Sequence, residues 1–195
     1  GGLVSPKKLE DTFRSVKHST LTAETIKRYI DLLQDSFLLE KSVRYDIKGR
    51  KYIDTPAKYY FEDLGLRNAR INFRQNEQTH LMENLIYNEL RARGFAVDVG
   101  QVVLNTKNEA GKSVRQVLEV DFVCNKGYER YYIQSAYAIP DAAKDQQEQQ
   151  SLLHIKDGFQ KVIVVAGLTP TYRNDNGILY LNLWDFLTHK VDFMQ

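Results

Sequence analysis

The fold is decided by one stretch of sequence, LEVDFV at residues 118–123. Apolar and acidic side chains alternate along it, which is typical of a β-strand with one buried face. A turn at residues 126–129 and a second strand pattern, YYIQSAY at residues 131–137, follow it. We therefore predict a β-hairpin whose first strand carries Glu119 and Asp121 on the same face.

Helical and strand patterns surround this hairpin. Residues 79–94 carry apolar side chains at helical spacing and end in a glycine, and residues 95–104 have the pattern of a strand. A polar loop is expected at residues 105–113. A further helix starts at Pro140, and the apolar run at residues 161–167 is typical of a strand buried on both faces. The order predicts an αβββαβ domain, residues 71–195.

This order and the acidic hairpin resemble the PD-(D/E)XK, or restriction-endonuclease-like, nuclease fold. The resemblance places the acidic positions of its site at Glu83, Asp121, Gln134 and Glu148, and its lysine at Ala136. Mg²⁺ prefers anionic oxygen ligands, and an attacking water needs a base or a cation beside it. Gln134 and Ala136 supply neither. The resemblance thus implies the fold but a vestigial site without catalysis, in which Glu83 and Asp121 are weak candidates for metal ligands.

Residues 1–70 predict a winged helix-turn-helix domain. Ser5 and Pro6 begin one helix, Thr22 caps a second, and a strand, a basic turn and a returning strand occupy residues 37–61. In such domains the second helix enters the major groove of DNA and the hairpin loop contacts phosphates. A full domain of this kind has another helix before the pair, so we expect a fragment. The candidate contacts are Lys27, Arg28, Lys48, Arg50 and Lys51.

The charge distribution agrees with this assignment. Residues 1–70 contain 14 Lys and Arg against 10 Asp and Glu, whereas residues 71–195 contain 13 against 15. The basic half is the one that would contact nucleic acid. A small excess is also common on solvated surfaces, so a packing module between domains is the alternative. Residues 62–69 are expected to link the two halves.

Composition indicates the cellular compartment. The single cysteine, Cys124, excludes an internal disulfide and indicates a reducing environment. No apolar run reaches the length of a membrane span, and no signal peptide opens the chain. These features predict a cytoplasmic protein without a membrane partner.

Taken whole, the sequence resembles the C-terminal domain of unknown function of prokaryotic AAA-type ATPases. Five segments carry the resemblance: YIDLL at 29–33, KYYFEDLGLRN at 58–68, ENLIYNEL at 83–90, EVDF at 119–122 and IKDGF at 155–159. The resemblance implies an N-terminal ATPase module as a partner. No segment reads Gly, four residues, Gly-Lys-Ser/Thr, so we expect no ATP binding through a phosphate loop in this chain.

Three functions follow from these observations. We favour a nucleic-acid-binding module with an inactive nuclease-like domain and no cofactor. The first alternative is an active DNA nuclease, which would require Mg²⁺. The second is a protein-interaction platform that regulates the ATPase.

Overall fold

A computed structural model of the chain describes residues 2–74, 77–107, 111–167, 169–191 and 193. These residues form one eight-stranded mixed β-sheet with helices on both faces. The predicted α/β class is confirmed. The helices are α1 (Pro6–Lys17), α2 (Ala23–Asp35), α3 (Leu64–Arg70), α4 (Gln78–Ala92), α5 (Ala142–Leu153) and α6 (Leu183–Leu187). The strands are β1 (Leu39–Asp46), β2 (Lys51–Phe61), β3 (Ala96–Lys107), β4 (Ser113–Lys126), β5 (Glu129–Ala136), β6 (Gln160–Val165), β7 (Tyr172–Arg173) and β8 (Leu179–Asn182).

The strand order is β2-β1-β3-β4-β5-β6-β8-β7. The β1–β2 hairpin, which the winged-helix interpretation assigns to a separate domain, therefore lies in the same sheet as the strands of the C-terminal half. It is joined through β1, which runs parallel to β3 with Arg44 opposite Val99. The domain boundary at residue 70 stays a prediction, but the sheet itself extends across it.

Local sequence signals explain the starts of several helices. The Ser5 and Thr22 side chains accept hydrogen bonds from backbone N–H groups in the first turns of α1 and α2, as their sequences predict. The predicted linker is wrong over most of its length, because helix α3 occupies it. Asp63 caps this helix by accepting a hydrogen bond from the Leu66 N–H at 2.8 Å. Helix α4 begins after Glu77, which makes no side-chain cap, and not after Thr79.

The predicted polar loop is shorter than expected. Strand β3 runs to Lys107 and strand β4 starts at Ser113, so paired strands occupy much of the loop. Residues 108–110 of the predicted loop lie outside the described residues.

The sheet separates two apolar cores. Helices α4 and α6 cover one face and form the α4-side core; helix α5 covers the other and forms the α5-side core. The α4-side core includes Tyr60, Ile86, Tyr87, Phe122, Ile133 and Phe186. The α5-side core includes Tyr45, Val120, Val123, Tyr132, Ala136 and Leu152. Strand residues alternate between these cores, so membership reports which face a side chain occupies.

A β-bulge in β4 interrupts this alternation. The register against β3 shifts between Val120 and Val123, and both of these residues pack in the α5-side core. Phe122 packs in the α4-side core. Asp121 and Phe122 together stand opposite the single residue Val99, and both side chains lie on the α4 face.

A second bulge bends β2. Ser42 pairs with Lys58, but Arg44 pairs with Ile53, so residues 54–57 stand opposite a single residue of β1. Arg44 supports this bulge by donating to the carbonyls of residues 55 and 56 at 3.1 and 3.0 Å. Beyond the bulge, β2 contacts α4, where the rings of Tyr60 and Tyr87 stack at 4.0 Å.

Candidate functional site

A lysine from β2 contacts three carboxylates on the α4 face of the sheet. Lys58 Nζ lies 2.7 Å from Glu83 Oε1, 2.7 Å from Glu119 Oε1 and 3.4 Å from Asp121 Oδ1. The Tyr60 hydroxyl donates to Glu83 Oε1 at 2.8 Å. We call these five residues the carboxylate cluster. It joins the N-terminal hairpin, helix α4 and strand β4.

The cluster is buried except at one side. The Lys58 side chain is 3% exposed, Glu83 and Asp121 are buried, and the Glu119 side chain is 40% exposed. Solvent therefore reaches the cluster through Glu119. With every carboxyl group ionised, three negative charges face one positive charge, so the cluster has an excess of negative charge.

The environment of the cluster keeps Lys58 charged and raises the pKa of one acid, Asp121, to near neutral pH. Burial alone lowers the pKa of Lys58, but Asp121, Glu83 and Glu119 together raise that pKa by more, so its net shift is upward. Burial raises the pKa of Asp121 to about 7, although the Lys58 ammonium opposes the shift. The Ser135 N–H also favours the carboxylate by donating to Asp121 Oδ2 at 2.9 Å. Asp121 therefore titrates near neutral pH.

Tyr60 remains a hydrogen-bond donor to the cluster. Burial and the neighbouring Glu83 carboxylate raise the pKa of Tyr60 well above its ordinary value. The protonated hydroxyl thus stays available to Glu83 over the whole physiological range.

Gln134 lies beside Asp121 but does not extend the cluster. Its Oε1 accepts a hydrogen bond from the Asp121 backbone N–H at 3.3 Å. Gln134 lies two residues from both Tyr132 and Ala136 on β5, so it shares their face of the sheet, and both of these residues pack in the α5-side core. Gln134 therefore supports the bulged backbone from the opposite face of the sheet.

The fourth predicted acid is also away from the cluster. Glu148 is buried on α5, the helix that covers the other face of the sheet. Its Oε1 forms an ion pair with Lys144 Nζ at 2.5 Å. Of the predicted site residues, the ion pairs of the described part of the chain thus bring together Glu83 and Asp121.

The residues that were not predicted as site members are Lys58, Tyr60 and Glu119. The alternation in LEVDFV predicts that Glu119 shares a face with Asp121, and this is the sequence signal for Glu119. Lys58 and Tyr60 alternate on the returning strand, and a lysine among strand aromatics is an unusual core residue. These two residues are 25 and 23 positions from Glu83, so no local sequence pattern indicates that they contact it.

The cluster as it stands does not fit a metal ion. Within the described ranges, no three His, Cys, Asp or Glu side chains form a group that could hold one. The oxygens of Glu83, Glu119 and Asp121 converge on the Lys58 ammonium instead. The ammonium thus fills the position in which a divalent cation would contact these oxygens, and it neutralises part of their charge.

The predicted nucleic-acid contacts lie on different surfaces. Lys48 and Arg50 line a cavity of about 680 Å³ on the α5 face, which we call the basic groove. Lys27 lines a separate cavity of about 520 Å³ beside α1. Arg28 is exposed on α2, and Lys51 is exposed at the start of β2. The turn and the helix of the predicted winged domain thus do not share one cavity.

Comparisons with known proteins give relatives without a described activity. Residues 1–77 match a family model described as a domain of unknown function, DUF8612. The chain is also 37% identical over 166 residues to an uncharacterized protein of Haemophilus influenzae. That alignment covers 85% of this chain and 37% of the Haemophilus protein, so the chain spans little more than a third of its relative's length.

The helices were also compared with the length and apolar character of a membrane span. Among the helices of the described residues, none combines the length and the apolar character that crossing a membrane requires.

Proposed function

We propose that this chain is a nucleic-acid-binding module with a catalytically inactive nuclease-like site, in which Lys58 takes the place of a metal ion. The observation that carries the proposal is the convergence of Glu83, Glu119 and Asp121 on one buried ammonium. The Lys58 ammonium occupies the point on which the three carboxylates converge, so it takes the position that a metal ion would need. The cluster then acts as a clamp between β2, α4 and β4.

We also propose a division of the chain into two structural units. We assign α1, α2 and the β1–β2 hairpin to a winged helix-turn-helix unit, and the segment from α4 onward to a PD-(D/E)XK-like unit. The order α4, β3, β4, β5, α5, β6 supports the second assignment. In this assignment the two units share one sheet, in which β1 pairs with β3.

The chain is further proposed to act in the cytoplasm as part of a longer protein with an AAA-type ATPase module. The Haemophilus relative supports the longer protein, because most of its sequence lies outside the alignment. The resemblance of the quoted segments supports the ATPase.

A cleavage and binding assay tests the proposal. The purified chain is incubated with supercoiled plasmid and with single-stranded DNA in Mg²⁺ and in Mn²⁺, and binding to the same DNA is measured across a salt series. We expect binding that weakens with salt, because phosphate contacts release counterions, and no cleavage. Cleavage that disappears in Asp121→Asn would contradict inactivity. Absence of any binding by the folded chain would contradict the nucleic-acid function and favour the protein-interaction platform.

An active nuclease is the second candidate, and a specific contact favours it. Lys58 brings an ammonium beside Asp121, so a cation is present although Ala136 is not a lysine. Glu119 opens the cluster to solvent, and Asp121 titrates near neutral pH. These are properties of an acid–base site. Metal-dependent cleavage that is lost in both Lys58→Met and Asp121→Asn would establish this function in place of the first.

A further inference from the structure

We propose that the basic groove binds a segment of single-stranded nucleic acid, with phosphates on its cationic side chains and bases on its aromatic rings. The inference rests on the proposed function and names its ligand and its surface. The groove lies between the β1–β2 turn, the β4–β5 turn and the segment that follows α5. Residues 102–104 of β3 also line it, so four parts of the chain that are distant in sequence build the groove.

Positive charge dominates the groove. The cationic lining residues are Lys48, Arg50, Arg130 and Lys156. Two carboxylates also line it, and both are engaged by neighbouring groups. Asp157 accepts from the Tyr132 hydroxyl at 2.6 Å, and Glu129 accepts from the Tyr131 hydroxyl at 3.2 Å. A net positive, concave surface attracts an anionic chain.

One of the cations is held in place before any ligand binds. Arg130 Nε donates to Asn125 Oδ1 at 2.7 Å. Its guanidinium lies 5.0 Å from the centroid of the Tyr45 ring and 5.6 Å from that of Phe159. A guanidinium fixed in this way loses little conformational entropy when it contacts a phosphate.

The β1–β2 turn presents two more cations in a defined geometry. The Gly49 N–H donates to Asp46 Oδ1 at 2.9 Å. A Cβ at Gly49 would lie 2.6 Å from Asp46 Oδ2, so a larger residue there would displace the carboxylate that holds this turn. Arg50 adopts a left-handed backbone conformation, with φ of 52°. The turn thus places Lys48 and Arg50 at the rim of the groove.

Aromatic side chains and size favour a single strand. Phe159 is 40% exposed and Tyr128 is fully exposed, and both line the groove. Exposed rings beside cations are the elements that stack bases and track a backbone in single-strand-binding proteins. The volume of about 680 Å³ admits nucleotide-sized groups. A duplex keeps its bases stacked inside, where these rings do not reach them.

The groove and the carboxylate cluster lie on opposite faces of the sheet. Tyr45 and Ile155 line the groove and belong to the α5-side core, whereas Tyr60 of the cluster belongs to the α4-side core. A strand bound in the groove is therefore separated from the cluster by the sheet. This arrangement agrees with binding without cleavage.

Fluorescence anisotropy with a labelled oligothymidylate of about 12 nucleotides tests the inference. The groove variant combines Arg50→Ala with Lys156→Ala; the control combines Lys17→Ala with Arg70→Ala, which removes equal charge from exposed positions elsewhere. We expect the groove variant to bind about tenfold more weakly and its salt slope to fall by about 1.4, from about 0.7 per lost phosphate contact. The control should stay within about twofold of wild type, because general attraction is weaker than direct contact.

Two further arms identify the ligand. Phe159→Ala should weaken single-strand binding by about tenfold through lost stacking. The wild type should prefer the single strand to a duplex of the same length, and thymidine monophosphate should compete only weakly. Equal binding of duplex and strand, or a monophosphate that competes as well as the strand, would overturn the single-strand assignment.

The outcomes separate this inference from the proposed function. Wild-type binding that the groove variants leave unchanged, with each variant folded by circular dichroism, would overturn the groove alone. A folded wild type that binds no nucleic acid would overturn the proposed function with it.

Discussion

Lys58 Nζ lies 3.4 Å from Asp121 Oδ1, although the two residues are 63 positions apart in the chain. Both side chains lie on the α4 face of the sheet. Lys58 shares this face with Tyr60, two residues further along β2, and the bulge in β4 places Asp121 on the same face as Phe122. The pair links the N-terminal hairpin to the C-terminal strands, so we expect its loss to affect the stability of the whole sheet.

Lys58→Met should lower the free energy of unfolding by about 3–5 kcal/mol, because it leaves buried carboxylates without their cation. Urea denaturation followed by circular dichroism measures this change. Lys41→Met is the matched control on the same hairpin. Lys41 pairs with Asp54, whose side chain is 80% exposed, and such a pair contributes at most about 1 kcal/mol. Equal losses in the two variants would contradict the clamp.

The free energy of unfolding should fall as the pH rises from about 4 to about 7, because Asp121 loses its proton over this range. Its pKa in the folded protein is about 7, above the ordinary value of 3.8. Between these two pH values the folded state binds more protons than the unfolded state. The stabilisation that Asp121 provides is therefore fully present below pH 3.8 and is lost as the pH rises through about 7.

Asp121→Asn removes this group and should flatten the stability profile in the same pH window. Denaturation midpoints measured at a series of pH values report the slope. Asp175→Asn, an exposed position in the turn before β8, serves as the control and should keep the wild-type slope. A profile of Asp121→Asn that parallels the wild type would show that another group causes the pH dependence.

Tyr60→Phe should cost about 2 kcal/mol of stability, because Glu83 loses a hydrogen bond to its charged oxygen while the ring still stacks on Tyr87. Thermal and urea denaturation measure the loss. Tyr128→Phe removes a hydroxyl from a fully exposed ring and should change stability by less than about 0.5 kcal/mol. If Tyr60→Phe is as mild as this control, the hydroxyl has no part in the cluster.

Restoring the nuclease motif at the aligned positions, Gln134→Glu with Ala136→Lys, should destabilise the protein and produce no cleavage. Ala136 is 2% exposed in the α5-side core, so a lysine there is overpacked and buried without a partner. Plasmid cleavage and melting temperature are the measurements. Ala143→Lys, at an exposed position of α5, provides the control for the substitution itself. Mg²⁺-dependent cleavage by a folded double variant would refute the placement of these residues.

Local patterns predicted the elements better than the site. Alternation identified the β4–β5 hairpin, and cap residues identified the starts of α1 and α2, because both signals act between neighbours in sequence. Asp63 carried the same kind of signal for α3, but the short helix lacks an apolar stripe, so its sequence resembled a linker.

The cluster depended on features that one sequence does not report. The bulge places Asp121 and Phe122 on the same face without changing the pattern of LEVDFV, and Gln134, which the resemblance assigns to the same site as Asp121, lies on the other face. Lys58 lies on the returning strand, and the sequence alone indicates no role for it, because its partners come together only through long-range packing. The resemblance places the motif lysine at position 136, where this chain has Ala136, whereas β2 brings Lys58 to Glu83 and Asp121.

Binding of Mn²⁺, followed by electron paramagnetic resonance at neutral pH, tests most directly whether Lys58 takes the place of a metal ion. The wild type is compared with Lys58→Met and with the double variant that adds Asp121→Asn. We predict no binding by the wild type at millimolar Mn²⁺, binding by Lys58→Met because its carboxylates have lost their cation, and loss of that binding in the double variant. Mn²⁺ binding by the wild type that disappears in Asp121→Asn would contradict the account.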